Sequence, residues 1–237
     1  YAGRVFRIGF SYGLFALEAA SRPGWLIDDV SITVSNPIFG TVQITNNLAQ
    51  ARFELSGPVS RIGSGWNTLI TNAPTGQYAV TSQPVTYYQT PSPQTNVLNT
   101  PGLLLFHGNY TFADANANGI SDEWELAFFG EVSPARTAAT DTDNDGMTDY
   151  GEFIAGTNPT NALSRLRFDM PQLLPDGRLL LGWQSVSNRA YQVQFSPNAA
   201  TWQGVSPWVS ALGTNTTLTV PAYTNGAPYL FRLQVRP

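Results

Sequence analysis

Between residues 37 and 113 the chain alternates apolar and polar positions in six short runs: GTVQITNN, ARFELSG, NTLITNA, GQYAVTS, VTYYQT and LLLFHG, each broken by Gly, Pro or Asn. A period of two puts every second side chain on one face, and turn residues about every ten positions predict a small antiparallel sandwich. The stretch TSQPVTYYQTPSPQTNVLNTPG holds four prolines and is expected to be a long loop or an irregular edge. The alternation resumes from 164 to 237 in SRLRFDM, RLLLGWQSV, AYQVQFS, TWQGVS, TTLTVPA and YLFRLQV. There Trp183 is expected to face inward with Tyr191 and Val193. Between these regions the period lengthens. Ile120, Trp124, Ala127 and Phe128 fall on one helical face with Gly130 placed to end the helix, and Met147, Phe153 and Ile154 precede a stop at Gly156 and Pro159. Residues 1–36 hold two strand-like runs, VFRIGFSYGLF and GWLIDDVSITVS, too few to bury a core alone. The expected fold is mostly β, with tandem sandwiches joined by a small loop-helix block. The expected segments are 1–36, 37–113, 114–163 and 164–237.

Composition narrows the chemistry. The 237 residues are 42% hydrophobic and only 12% charged, with no Cys, one His and arginine for every cation. Without Cys there are no disulfides, thiolate nucleophiles or thiolate metal sites. A net charge of −4 and the lack of a basic run speak against nucleic acid as a partner, and no apolar run is long enough to span a membrane. Residues 114–152 carry ten acids against one arginine, a local net of −9, while the other segments carry six acids against eleven arginines, a net of +5. A short block this acidic stays disordered by self-repulsion unless cations hold it together.

Its spacing points to cations. In DANANGISDEWE, oxygen-bearing side chains occupy loop positions 1, 3 and 5 (Asp114, Asn116, Asn118), Gly119 stands at 6, Ile120 at 7, Asp122 at 9 and Glu125 at 12. In DTDNDGMTDYGE the same positions are Asp141, Asp143, Asp145, Gly146, Met147, Asp149 and Glu152. Calcium takes six to eight oxygens at about 2.3–2.6 Å. Alternate residues of a tight loop point inward, glycine at 6 permits the turn, position 7 offers its carbonyl, and the acid at 12 arrives on an exiting helix. Two matches 27 residues apart argue against an ordinary acidic turn. No helical pattern leads into either loop: LLLFHGNYTFA reads as a strand and EVSPARTAAT as a connector.

These loops, with EFIAGTNP after the second, resemble the loop-helix calcium modules of the thrombospondin type 3 and dockerin families, as found in secreted bacterial proteins. The resemblance covers about 50 residues and implies two calcium sites. Its side-chain ligands would be Asp114, Asn116, Asn118, Asp122 and Glu125, then Asp141, Asp143, Asp145, Asp149 and Glu152, with carbonyls from Ile120 and Met147. With two Asn in place of Asp, the first site is expected to bind more weakly. Residues 37–113, with NAPTGQYAV, resemble PEGA-type sandwiches. Residues 164–237 resemble fibronectin type III or related immunoglobulin-like sandwiches. GWLIDDVSITVS is similar to the closing strand of MAM-like jelly rolls, so residues 1–36 belong either to a domain continued upstream or to strands given to a neighbouring subunit.

The expected function is a non-catalytic, extracellular, calcium-stabilised structural or adhesive protein, assembling with itself or with neighbouring modules of one precursor, including as a filament subunit. The alternative is an accessory glycan-binding or spacer segment of a larger secreted hydrolase. Tyr87, Tyr88 and Trp66 are the candidate sugar platform, weighed against plain packing. Adjacent Asp28 and Asp29 point to opposite strand faces and make a poor acid–base pair, and His107 has no identifiable catalytic partner.

Overall fold

The computed structural model describes residues 38–99, 101–221 and 230–237, and Pro37–Pro237 form one compact unit. The strand readings within 1–36, Asp28 and Asp29 lie outside the described residues. As the alternation predicts, the chain is mostly β. Strands β1 (Phe39–Asn46), β4 (Asn67–Pro74) and β7 (Leu103–Gly108) form one sheet in the order β4-β1-β7. Strands β2 (Arg52–Ser56), β3 (Arg61–Ser64), β5 (Gly76–Ser82) and β6 (Gln94–Leu98) form a second in the order β3-β2-β5-β6. Val42 and Ile44 of β1, Phe53 and Leu55 of β2, Tyr78 and Val80 of β5 and Phe106 of β7 are buried together between the sheets. Each such side chain contributes about 1.5–3 kcal/mol by leaving water.

Two features depart from expectation. The sandwich is not wholly antiparallel, because β7 pairs with β1 in parallel, Thr41 opposite Leu103 through Asn46 opposite Gly108. Parallel neighbours need a long crossover, and here that crossover is β2 to β6. VTYYQT, moreover, is no strand. It makes single bridges, Val85 to Tyr88 and Gln89 to Thr111, and Tyr87 turns at φ 69°. The proline-rich stretch contains β6, an edge strand, where proline-flanked segments are tolerated.

The C-terminal region pairs β9 (Leu179–Gln184) with β13 (Asn215–Val220) and the short β8 (Gln172–Leu173). Facing it, β10 (Ala190–Ser196) pairs with β14 (Leu230–Arg236) and the short β11 (Gln203–Gly204) and β12 (Val209–Ser210). Trp183, Tyr191 and Val193 are all buried in its core, and the Tyr191 hydroxyl accepts the Val186 N–H at 2.8 Å. SRLRFDM contributes one bridge, Phe168 to Trp183, in place of a strand.

Between the sandwiches lie helices α1 (Asp122–Phe129) and α2 (Asp149–Ala155), ended by Gly130 and Gly156 at φ 77°. Ile120 and Trp124 are buried as the pattern predicts, whereas Ala127 is exposed and Glu125 takes the inward place. The helices meet through Trp124 edge-on to Phe153 at 5.7 Å. Phe153 also stacks on Tyr88 at 5.7 Å and meets Phe112 edge-on at 5.4 Å, so α2 is docked on the first sandwich. From the second sandwich, buried Arg189 donates Nη2 to the Phe153 carbonyl at 3.3 Å, a cation at a helix C-terminus.

The block is not the sole link between the sandwiches. Trp66 meets Trp208 edge-on at 5.6 Å, Arg236 lies 4.0 Å over the Trp208 ring, and the Ala49 N–H donates to the Pro237 carbonyl at 2.5 Å.

Phe153 joins α1, α2 and the first sandwich, so Phe153→Ala should cost about 3–5 kcal/mol, read as a lowered denaturant midpoint. A loss below about 1 kcal/mol would show that the aromatic junction is not a unit of the fold.

Candidate metal centre

Both loops share one backbone design. The position-4 residues, Ala117 and Asn144, adopt φ 56° and 58°, and Gly119 and Gly146 follow at φ 83° and 93°. Left-handed residues on either side of position 5 form the tight turn, and at the second of them a Cβ would be strained. Side chains then lock it. Asp114 Oδ2 accepts the Gly119 N–H at 2.9 Å and Asp141 Oδ2 the Gly146 N–H at 3.0 Å. Asn118 Oδ1 and Asp145 Oδ1 each accept the N–H two residues on, from Ile120 and Met147, at 2.8 Å.

The position-9 acids close the loops. Asp122 Oδ1 accepts the Ala115 N–H and Asp149 Oδ1 the Thr142 N–H, both at 2.9 Å. Asp149 is completely buried, and its Oδ2 accepts the Thr142 hydroxyl at 2.7 Å and lies 3.2 Å from Arg136 Nε. It therefore faces protein partners, as suits position 9, which often reaches the ion through water.

What remains in the second loop is a convergence of free oxygens. Asp141, Asp143 and Asp145 offer carboxylate oxygens within 4.8 Å of one another. Asp141 Oδ1, Asp143 Oδ2, Asp145 Oδ2 and Glu152 Oε2 are buried without a hydrogen-bond partner. At an effective dielectric of about 20, two unit charges 4.8 Å apart repel by on the order of 3 kcal/mol, less where water reaches the rim. Four unpaired oxygens on four acids are the donor set of a hard divalent cation, and the residues fit calcium. Glu152 is held in place from behind, where its Oε1 accepts the Thr157 hydroxyl at 3.0 Å.

Burial pushes the Glu152 carboxyl up to about 7, with Asp143, Asp145 and Asp149 adding to the rise and the Thr157 hydrogen bond opposing it. A divalent cation bound there would favour the ionised carboxylate and oppose that rise.

The first loop is built differently. Buried Glu125 accepts Arg136 Nη1 at 2.9 Å, Asn116 Nδ2 at 3.2 and 3.1 Å, and Asn118 Nδ2 at 3.3 Å. Arg136 stood in the connector EVSPARTAAT and carries no signal in the loop motif; its single positive charge within an acidic block was the one clue in the sequence.

The other candidates are engaged in packing. Tyr88 stacks on Phe153, and Trp66 meets Trp208 edge-on. His107 Nδ1 lies 2.7 Å from Thr45 Oγ1 on an exposed strand position. Among the described residues, no helix is long and apolar enough to cross a membrane.

Residues 141–162 match the bacterial TSP3 repeat family. The match spans the second loop, α2 and the turn beyond, and leaves out the first loop. No curated protein matches the chain by sequence. Among solved structures, the chain is similar to the TIE protein of Bacillus anthracis, at 10% identity over 84% of this chain and 29% of that one, with a TM-score of 0.28. A DUF3823 family protein from Bacteroides ovatus aligns at 6% identity over 84% of this chain and 90% of its own, with a TM-score of 0.26. One from Parabacteroides merdae aligns at 9% over 85% and 92%, with a TM-score of 0.24. Likenesses this distant assign neither a fold family nor a role.

The Glu152 carboxyl titrates higher in the folded, metal-free chain, about 7, than its ordinary 4.5. That contribution to stability is full below about 4.5 and lost as pH rises through 7. The gain in Tm on adding calcium should therefore be larger at pH 7.5 than at pH 5. A gain that is flat between the two, by calorimetry, would contradict a metal bound through Glu152.

Proposed function

We propose that this chain is a non-catalytic, extracellular structural segment in which calcium, held by Asp141, Asp143, Asp145 and Glu152 with the Met147 carbonyl, stiffens a junction between two β-sandwiches. The observation that carries this reading is the set of four buried, unpartnered carboxylate oxygens at the start of α2. The residue after Glu152 on that helix is Phe153, which packs on Tyr88 and accepts from Arg189 through its carbonyl. Neutralising the loop thus acts on a helix that touches both sandwiches. No helix enters the loop, and there is no helix pair to open on binding, which supports a standing structural ion over a sensor.

Loops of this kind in extracellular modules bind calcium at about 10⁻⁴–10⁻³ M. They are filled outside cells and empty in cytosol. The match to the bacterial TSP3 repeat supports this setting. The partners on this reading are neighbouring modules of the same precursor or further copies of the chain.

At a calcium concentration about a hundredfold above Kd, binding to the folded state adds about 2.7 kcal/mol, which corresponds to a rise in Tm of about 5–10 °C for a chain of this size. Hydrogen exchange of the full chain should show slower exchange in α2 and residues 156–165 with calcium than with chelator, while the two sandwich cores stay protected in both. Equal exchange in α2 under the two conditions would sink the junction reading.

A further inference from the structure

The two loops share a backbone and differ in what fills them. In the second loop four carboxylate oxygens are buried without partners; in the first, the buried unpartnered oxygen is an amide oxygen, Asn116 Oδ1. The acid at position 12, Glu125, is fully buried and already holds a cation. Arg136 Nη1 donates to its Oε1 at 2.9 Å. The same guanidinium places Nε 3.2 Å from Asp149 Oδ2 and lies 3.6 Å over the Phe129 ring. The side chain is only 11% exposed. The amide groups of Asn116 and Asn118 turn N–H toward Glu125 and donate as well to the carbonyls of Ser133 and Arg136, at 3.0 and 3.4 Å.

A calcium ion needs lone pairs from six to eight oxygens. Here two ligand positions present N–H groups to the centre, and a fixed positive charge sits on the carboxylate that would have to bind through both oxygens. The first loop does not fit a divalent ion.

We propose that Arg136 is the built-in cation of the first loop, taking the place that calcium takes in the second, so that the chain binds one calcium ion and not two. This rests on the reading of the second loop as a calcium site. The guanidinium suits the role because its planar fork can meet one carboxylate, approach a second and lie flat on a ring at once. It also ties the loops together. Glu125 ends the first loop, and Asp149 opens α2, whose first turn also carries Glu152. The first loop is therefore ordered without metal, and it holds the start of α2 in the orientation the second loop requires.

Native mass spectrometry and calorimetric titration of the full chain with calcium test this. The expected result is one ion per wild-type chain and none in Asp143→Asn/Asp145→Asn. Two ions on the wild type, or one retained by the double variant, would overturn the inference and leave the second-loop site standing. No ion on the wild type would instead remove the calcium reading, and Arg136 would still be tested by Arg136→Gln. That variant leaves Glu125 buried without its cation and should lower Tm by about 10 °C, equally in chelator and in calcium. A Tm unchanged in chelator would overturn the assignment.

Discussion

Like charges crowded into a small volume are the constraint from which the rest of this structure follows. The second loop aims oxygens of Asp141, Asp143 and Asp145 at one point within 4.8 Å, and Glu152 adds a fourth acid at the start of α2. Such an arrangement is costly unless a positive charge at its centre, or a proton on Glu152, offsets it. α2 carries both Glu152 and Phe153, and Phe153 makes the contacts to Tyr88, Phe112 and Trp124, so the acidic loop leads directly into apolar packing.

The chain distributes its cations accordingly. Every one is arginine, and several sit where a planar group is useful. Arg136 lies between Glu125, Asp149 and the Phe129 ring, Arg189 caps the Phe153 carbonyl, and Arg236 lies on Trp208 at the direct contact between the sandwiches. Arg165 reaches back from the segment after α2 to the Asp145 carbonyl at 2.5 Å. A net charge of +5 outside the acidic block is thus partly turned inward upon it, and Tyr88 and Trp66 pack at the junction.

Local spacing was enough to read much of this in advance. A twelve-residue loop places positions 1, 3, 5, 6, 7, 9 and 12 by its own backbone, and alternation places Val42, Ile44, Trp183, Tyr191 and Val193 by the pleat of a strand, so these features depend on near neighbours only. Gly130 and Gly156 end their helices for the same local reason. What could not be read involves partners distant in sequence. The parallel pairing of β7 with β1 joins residues about 60 apart and depends on a whole crossover. Whether Ala127 or Glu125 faces inward depended on where a guanidinium eleven residues beyond Glu125 came to lie. Tyr88 left its expected strand because Phe153, 65 residues later, offered a ring to stack on.

The amino-acid sequence by itself determined that there would be two tight acidic turns, short helices after each, and β-sandwiches on both sides. Only the tertiary structure decided that the turns differ in kind. Loop spacing specifies where oxygens point, but the charge that meets them comes from elsewhere in the chain or from solution, and long-range packing alone brings Arg136 to one turn while leaving the oxygens of the other unpaired.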